Sequence, residues 1–145
     1  MRWCSALAGV AAVALVAGCS TTPVRTGDHG VAAQGHDVVA YFSAGEALSG
    51  ASAHSHNWRG AEWHFVSEDN RARFADDPER YAPAYGGWCA WAMAEGRLVA
   101  GDPAYWTIHD ERLYLNCNRS AQENWEADIE ANIERAEEHW PDIAG

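Results

Sequence analysis

Lysine is absent from the 145-residue sequence: its 10 basic side chains are all arginines and stand against 21 carboxylates, a formal net charge of −11. That balance excludes nucleic acid as a partner, because a phosphate backbone demands a basic face. Cysteine is scarce, with 4 in all, and no Cys-x-x-Cys pair occurs, so the chain lacks the local motif of dithiol oxidoreductases. It also lacks a Gly-rich phosphate loop, a Gly-x-Ser-x-Gly elbow and a His-Glu-x-x-His helix. The carboxylate pairs Asp76-Asp77 and Glu137-Glu138 read as solvated charge on helix surfaces. Long hydrophobic runs are confined to the N-terminus, which leaves one apolar-rich stretch of a size that suits a single domain.

What is present begins with a leader. Arg2 supplies a positive n-region, "ALAGVAAVALVAG" an apolar h-region, and Val16-Ala17-Gly18 a small-residue cleavage box before Cys19. The run falls short of the roughly 20 apolar residues that cross a bilayer. It resembles a bacterial lipoprotein signal, which implies residues 1–19 as a signal peptide ending at a lipidated Cys19. Residues 20–30 read as a polar tether and 31–145 as the domain. Membrane contact is expected through the N-terminal lipid anchor alone. Ser20 after the cysteine implies the periplasmic face of the outer membrane where the organism has one.

The domain reads as α+β: a small antiparallel sheet with short helices and a long C-terminal helix packed on it. "DVVAYF" (37–42) is a β-rich run, "SAGEALSGASAHS" a small-residue loop, and "NWRGAEWHFV" (57–66) a hairpin turning at Arg59-Gly60, with Trp63 and Phe65 on one face and Glu62 and His64 on the other. Ser67 is placed to cap a helix and Pro78 to open a further turn containing Tyr81. "RLVAG" (97–101) and "AYWTIHDERLYLNCN" (104–118) predict strands, the latter a hairpin around Asp110-Glu111-Arg112. Alternation sends Leu113, Leu115 and Cys117 inward together. Ser120 and Glu123 form a capping-box pattern, and Trp125, Ile129, Ile133, Ala136 and Trp140 recur at helical spacing until Pro141, where the helix is expected to stop. No internal repeat is visible in the sequence.

Four segments carry a family resemblance: "GHDVVAYF" (35–42), "WRGAEWHFVSEDNRARFADDPERYAPAYGGWCAWA" (58–92), "DPAYWTIHDERLYLN" (102–116) and "ADIEANIERAEEHWPDI" (127–143). Together they resemble the exported YHS-domain proteins of bacteria. The broader YHS and TRASH-like group implies transition-metal binding through cysteines. This chain departs from that group where it has a Phe-Cys-Ser step and a second cysteine four residues on: here stand Val66 and Asn70. The Tyr-His-Ser signature survives only loosely, in "HSHNW" (54–58). The exported subgroup's Tyr-Gly-Gly-aromatic-Cys-Ala segment is kept as Tyr85-Gly86-Gly87-Trp88-Cys89-Ala90, and the family tends to have tyrosine where this chain has Cys117.

With Cys4 lost in the leader and Cys19 committed to lipid, Cys89 and Cys117 are the thiols left to explain. Three readings of Cys89 stand side by side. In the first, a transition metal, copper or zinc, or a small ligand binds near Cys89 without catalysis. The metal ligands would be Cys89, His54, His56, His64 and Cys117, since thiolate and imidazole suit soft and borderline ions. A ligand pocket would be walled by Tyr81, Tyr85, Trp88 and Trp91. In the second, Cys89 is a redox thiol. In the third, a Cys89–Cys117 disulfide staples an envelope module, adding roughly 3 to 4 kcal/mol by loop closure. The first is the leading expectation, and no residue is assigned a catalytic role.

Overall fold

A computed structural model describes residues 23–144. The leader and the lipidation site at Cys19 lie outside the described residues. Among the described residues no helix is long and apolar enough to cross a membrane.

The fold is α+β, with two separate two-stranded antiparallel sheets. In chain order it runs α1 (Ala40–Ser43), β1 (Ala51–Trp58), β2 (Ala61–Phe65), α2 (Glu68–Asp76), α3 (Pro78–Tyr81), α4 (Ala90–Ala94), β3 (Asp102–His109), β4 (Arg112–Asn116), α5 (Arg119–Ala127) and α6 (Ile129–Ala144). Both hairpins turn where expected, on two-residue loops with both residues at positive φ: Arg59 and Gly60 in the first, Asp110 and Glu111 in the second. Along β2, Ala61, Trp63 and Phe65 are buried while Glu62 and His64 are partly exposed. Ser67 caps α2 by accepting the Asn70 N–H, and Pro78 opens α3.

The two halves repeat one arrangement that the sequence does not display. In each, a glycine at positive φ (Gly35, Gly87) leads into an isolated bridge, His36 to Ser49 or Trp88 to Ala100. The next residue donates its backbone N–H to a matching carbonyl, Asp37 to Leu48 at 2.8 Å and Cys89 to Val99 at 2.8 Å. A one-turn helix follows, α1 or α4, then a hairpin, then a helix capped by a polar side chain. The second cap is Asn118, which accepts the Ala121 N–H at 2.8 Å. Each capped helix carries one fully buried aromatic, Phe74 in α2 and Trp125 in α5.

Several expectations are corrected. "DVVAYF" is not a strand: Asp37 Oδ1 accepts the N–H groups of Val39 (2.9 Å) and Ala40 (3.1 Å) and bends the run into α1. Local side-chain bonding there overrides β propensity, and Val38, Val39, Ala40 and Tyr41 are buried. Part of the small-residue loop is strand, since β1 begins at Ala51. "RLVAG" contributes a single bridge and no strand. The C-terminal helix is split after Ala127, where Asp128 leaves helical geometry. The carbonyls stranded there, Asn124 and Trp125, accept the Asn132 side-chain amide at 2.9 and 3.0 Å. Pro141 lies inside α6 and does not end it. The stretch read as tether is docked from residue 23 onward: Arg25 N–H reaches Gly86 O at 2.8 Å, and a Cβ on Gly86 would sit 2.0 Å from Pro23 O.

Strand β4 lies between two cores. Leu113 and Leu115 enter the first, with Val38, Tyr41, Trp63, Phe65 and Phe74. Tyr114, on the opposite face, enters the second, with Tyr85, Met93, Trp125 and Ala136. A strand buried on both faces does not show the polar alternation of a half-exposed one. Tyr41 ties the halves together by donating its hydroxyl to Pro103 O at 2.7 Å.

Asp37 is fully buried, and its second oxygen accepts the Val66 N–H (2.9 Å) and the Asn70 side-chain amide (2.8 Å). Asp37→Asn turns one acceptor into a donor facing donors and should cost about 2–4 kcal/mol, read as a lower urea midpoint at unchanged m-value. A loss below about 0.5 kcal/mol would show that the knot contributes little.

The buried phenols of Tyr41, Tyr85 and Tyr114 and the thiol of Cys89 are all held neutral chiefly by burial, which raises each pKa. A pKa raised on folding gives stability that is present below the unfolded value and is lost as pH climbs toward the folded one. Melting temperature by circular dichroism should therefore hold to about pH 8 and fall above about pH 9–10, where free thiols and phenols ionise. A flat profile to pH 11 would contradict this.

Candidate functional site

Cys89 is placed by the reversal that precedes it. Tyr85, Gly86 and Gly87 all have positive φ (55°, 62° and 86°) and turn the chain so that α4 starts immediately after the cysteine. Gly101 is required alongside, because a Cβ there would lie 2.4 Å from Gly87 O. The Cys89 sulfur is fully buried and accepts the Cys117 N–H at 3.1 Å. This is the bond that Val66 N–H makes to Asp37 in the first half, so Cys89 stands where Asp37 stands and Cys117 where Val66 stands.

The structure places the two cysteines side by side as free thiols, the Cys117 backbone N–H reaching the Cys89 sulfur. Burial pushes the Cys89 thiol up to about 11; the neighbouring Cys117 thiol adds to this, and the N–H groups of Ala92 and Cys117 pull the other way. Asn116 lies beside the pair: its Oδ1 accepts the Trp91 N–H at 3.0 Å and lies 3.8 Å from the Cys89 sulfur. Its buried Nδ2 has no partner.

Cys117 is not in the core as alternation implied. Strand β4 ends at Asn116, and one residue later Cys117 is half-buried at a surface cleft of about 330 Å3, lined also by Trp91, Arg97, Val99, Asn118 and Ala121.

The histidines do not join the thiols. His54 and His56 lie on β1 and His64 on β2, in the first hairpin. His54 approaches Glu68 at 3.9 Å, the His56 ring meets Phe74 edge-on at 6.0 Å, and His64 Nε2 pairs with Glu62 at 2.7 Å. Among the described residues, no histidine or carboxylate makes up a ligand cluster with Cys89 and Cys117. The expected five-residue metal set therefore reduces to its two sulfurs.

The expected aromatic wall is likewise dispersed. Tyr81 packs edge-on against Phe42 at 5.5 Å. Tyr85 is buried in the second core. Trp88 lies under Arg25 at 5.9 Å, and Trp91 alone borders the Cys117 cleft.

One group escaped the sequence reading. His109, Asp110 and Glu130 place possible ligand atoms within 4.8 Å of one another, with His109 Nε2 2.6 Å from Glu130 and 3.5 Å from Asp110. The His-Asp step was visible at the hairpin turn, but nothing local pointed to Glu130. Its two carboxylates are exposed, and pairing with the histidine accounts for them. No family model, curated protein or solved structure matches this chain.

The arrangement makes the thiols unequal. Iodoacetamide should alkylate Cys117 well before Cys89, as mapped by peptide mass spectrometry on the native chain. Equal labelling would contradict the burial of Cys89.

Proposed function

We propose that the chain is a lipid-anchored cell-envelope protein of the YHS-like kind that binds a soft transition-metal ion, copper(I), through Cys89 and Cys117 without catalysing a reaction. The observation that carries this reading is the pairing of the buried Cys89 sulfur with the half-buried Cys117, whose N–H it accepts at 3.1 Å, beside a surface cleft. Two thiolates satisfy a soft monovalent ion, whereas structural zinc takes four ligands, and no imidazole or carboxylate joins this pair among the described residues. The cysteine that the resemblance leads one to expect at position 66 is missing, but Cys117 occupies the equivalent station of the second half. The Cys117 N–H already directed at the Cys89 sulfur favours its charged form once a metal displaces the proton.

A competing reading rests on the same contact. A thiol reachable from solvent and lying beside a second thiol can cycle between dithiol and disulfide.

Competition with a chromogenic copper(I) chelator decides between them. The full chain, in detergent and fully reduced, should take one copper(I), and Cys89→Ser or Cys117→Ser should each weaken binding by at least about 100-fold. Because both thiol protons must leave, apparent affinity should rise up to about a hundredfold per pH unit where both thiols are protonated. No copper uptake by the reduced chain, together with a native mass lower by two hydrogens after mild oxidation, would favour the redox reading and overturn this one.

A further inference from the structure

We infer that a second site, independent of the thiols, binds a small planar carboxylate in the seam between the two halves. A cleft of about 310 Å3 opens there, at the lower end of the ~300–1,000 Å3 range of small-molecule sites. Neither half completes it. The first hairpin supplies Trp58, Arg59 and Trp63; the connection after α3 supplies Tyr85; β4 and α6 supply Arg112 and Trp140.

The walls suit a flat apolar body and the polar groups suit a carboxylate. Arg59 lies over the Trp58 ring at 4.4 Å, and Arg112 over Tyr85 and Tyr114 at 5.7 and 5.8 Å. Each guanidinium is oriented through a single nitrogen by a glutamate, Arg59 by Glu79 at 2.8 Å and Arg112 by Glu137 at 3.1 Å. A guanidinium has five N–H donors in a planar fork that matches a carboxylate edge. The Glu79 side chain is 74% exposed against 30% for Arg59, so the acid sits at the rim and the cation further in.

Two of the seven non-glycine residues at positive φ among the described residues line this cleft. Arg59 and Tyr85 hold φ of 49° and 55°, a region costly for a non-glycine side chain. The first position of such a hairpin loop favours Asn, Asp or Gly. An arginine there, in a chain of net charge −11, stacks on Trp58, pairs with Glu79 and presents its guanidinium to the cleft.

Isothermal titration of the full chain in detergent with 4-hydroxybenzoate, against detergent alone, tests the inference, with the neutral 4-hydroxybenzamide as comparison. Saturable binding of the carboxylate with a Kd below about 1 mM is expected, and the amide should bind at least about fivefold more weakly. Arg59→Gln and Arg112→Gln should each weaken carboxylate binding about tenfold or more. Glu79→Gln removes the competing acid at the rim and should tighten it, an effect that misfolding cannot imitate. No saturation, equal binding of acid and amide, or weakened binding in Glu79→Gln would overturn the inference. Cys117→Ser, which keeps the backbone N–H bond to Cys89, should leave the titration unchanged, which separates this site from the copper site.

Discussion

The architecture depends on one contact made twice: a buried acceptor that begins a one-turn helix and takes the N–H of the residue just beyond a hairpin. In the first half the acceptor is the Asp37 carboxylate, which gathers the Val39, Ala40 and Val66 N–H groups and the Asn70 amide. In the second it is the Cys89 sulfur, which takes the N–H of Cys117. These contacts fix where each hairpin exits relative to the preceding turn, so each capped helix folds back and presents its aromatic, Phe74 or Trp125, to its own core. The doubly buried strand β4 then joins the cores.

The difference between the acceptors separates structure from chemistry. A carboxylate with four donors is satisfied and closed. A thiol in the same place is a weaker acceptor, carries a proton that burial makes hard to remove, and has a second thiol beside it at the equivalent of Val66. The unpartnered Asn116 Nδ2 adjoins this second anchor, whereas the side-chain amide beside Asp37, that of Asn70, is engaged by it. One half thus holds its anchor fully bonded, and the other places two free sulfurs side by side.

Elements governed by local chemistry were legible in the sequence. Arg59-Gly60 and Asp110-Glu111 marked both turns, Ser67 and Pro78 marked helix starts, and the spacing of Ile129, Ile133 and Ala136 marked the buried face of α6. Elements governed by distant contacts were not. "DVVAYF" has strand composition, and the Asp37 carboxylate that bends it onto the Val39 and Ala40 N–H groups is itself held by distant contacts with Val66 and Asn70. Asn118 rather than Ser120 caps α5, and the break before α6 depends on Asn132 bonding carbonyls of the preceding helix. At the site, alternation carried Cys117 inward with Leu113 and Leu115, but β4 ends one residue earlier and the rule lapses. The histidines looked available because sequence shows residue type and not direction; their hairpin packs on α2, in the half without thiols.

X-ray absorption at the copper edge of the copper(I)-loaded chain tests the central claim most directly, because it identifies the atoms that hold the ion. The account predicts a first shell of sulfur alone, contributed by Cys89 and Cys117 and lost in the Cys117→Ser chain. A first shell containing imidazole nitrogen, or one unaltered by that substitution, would contradict it.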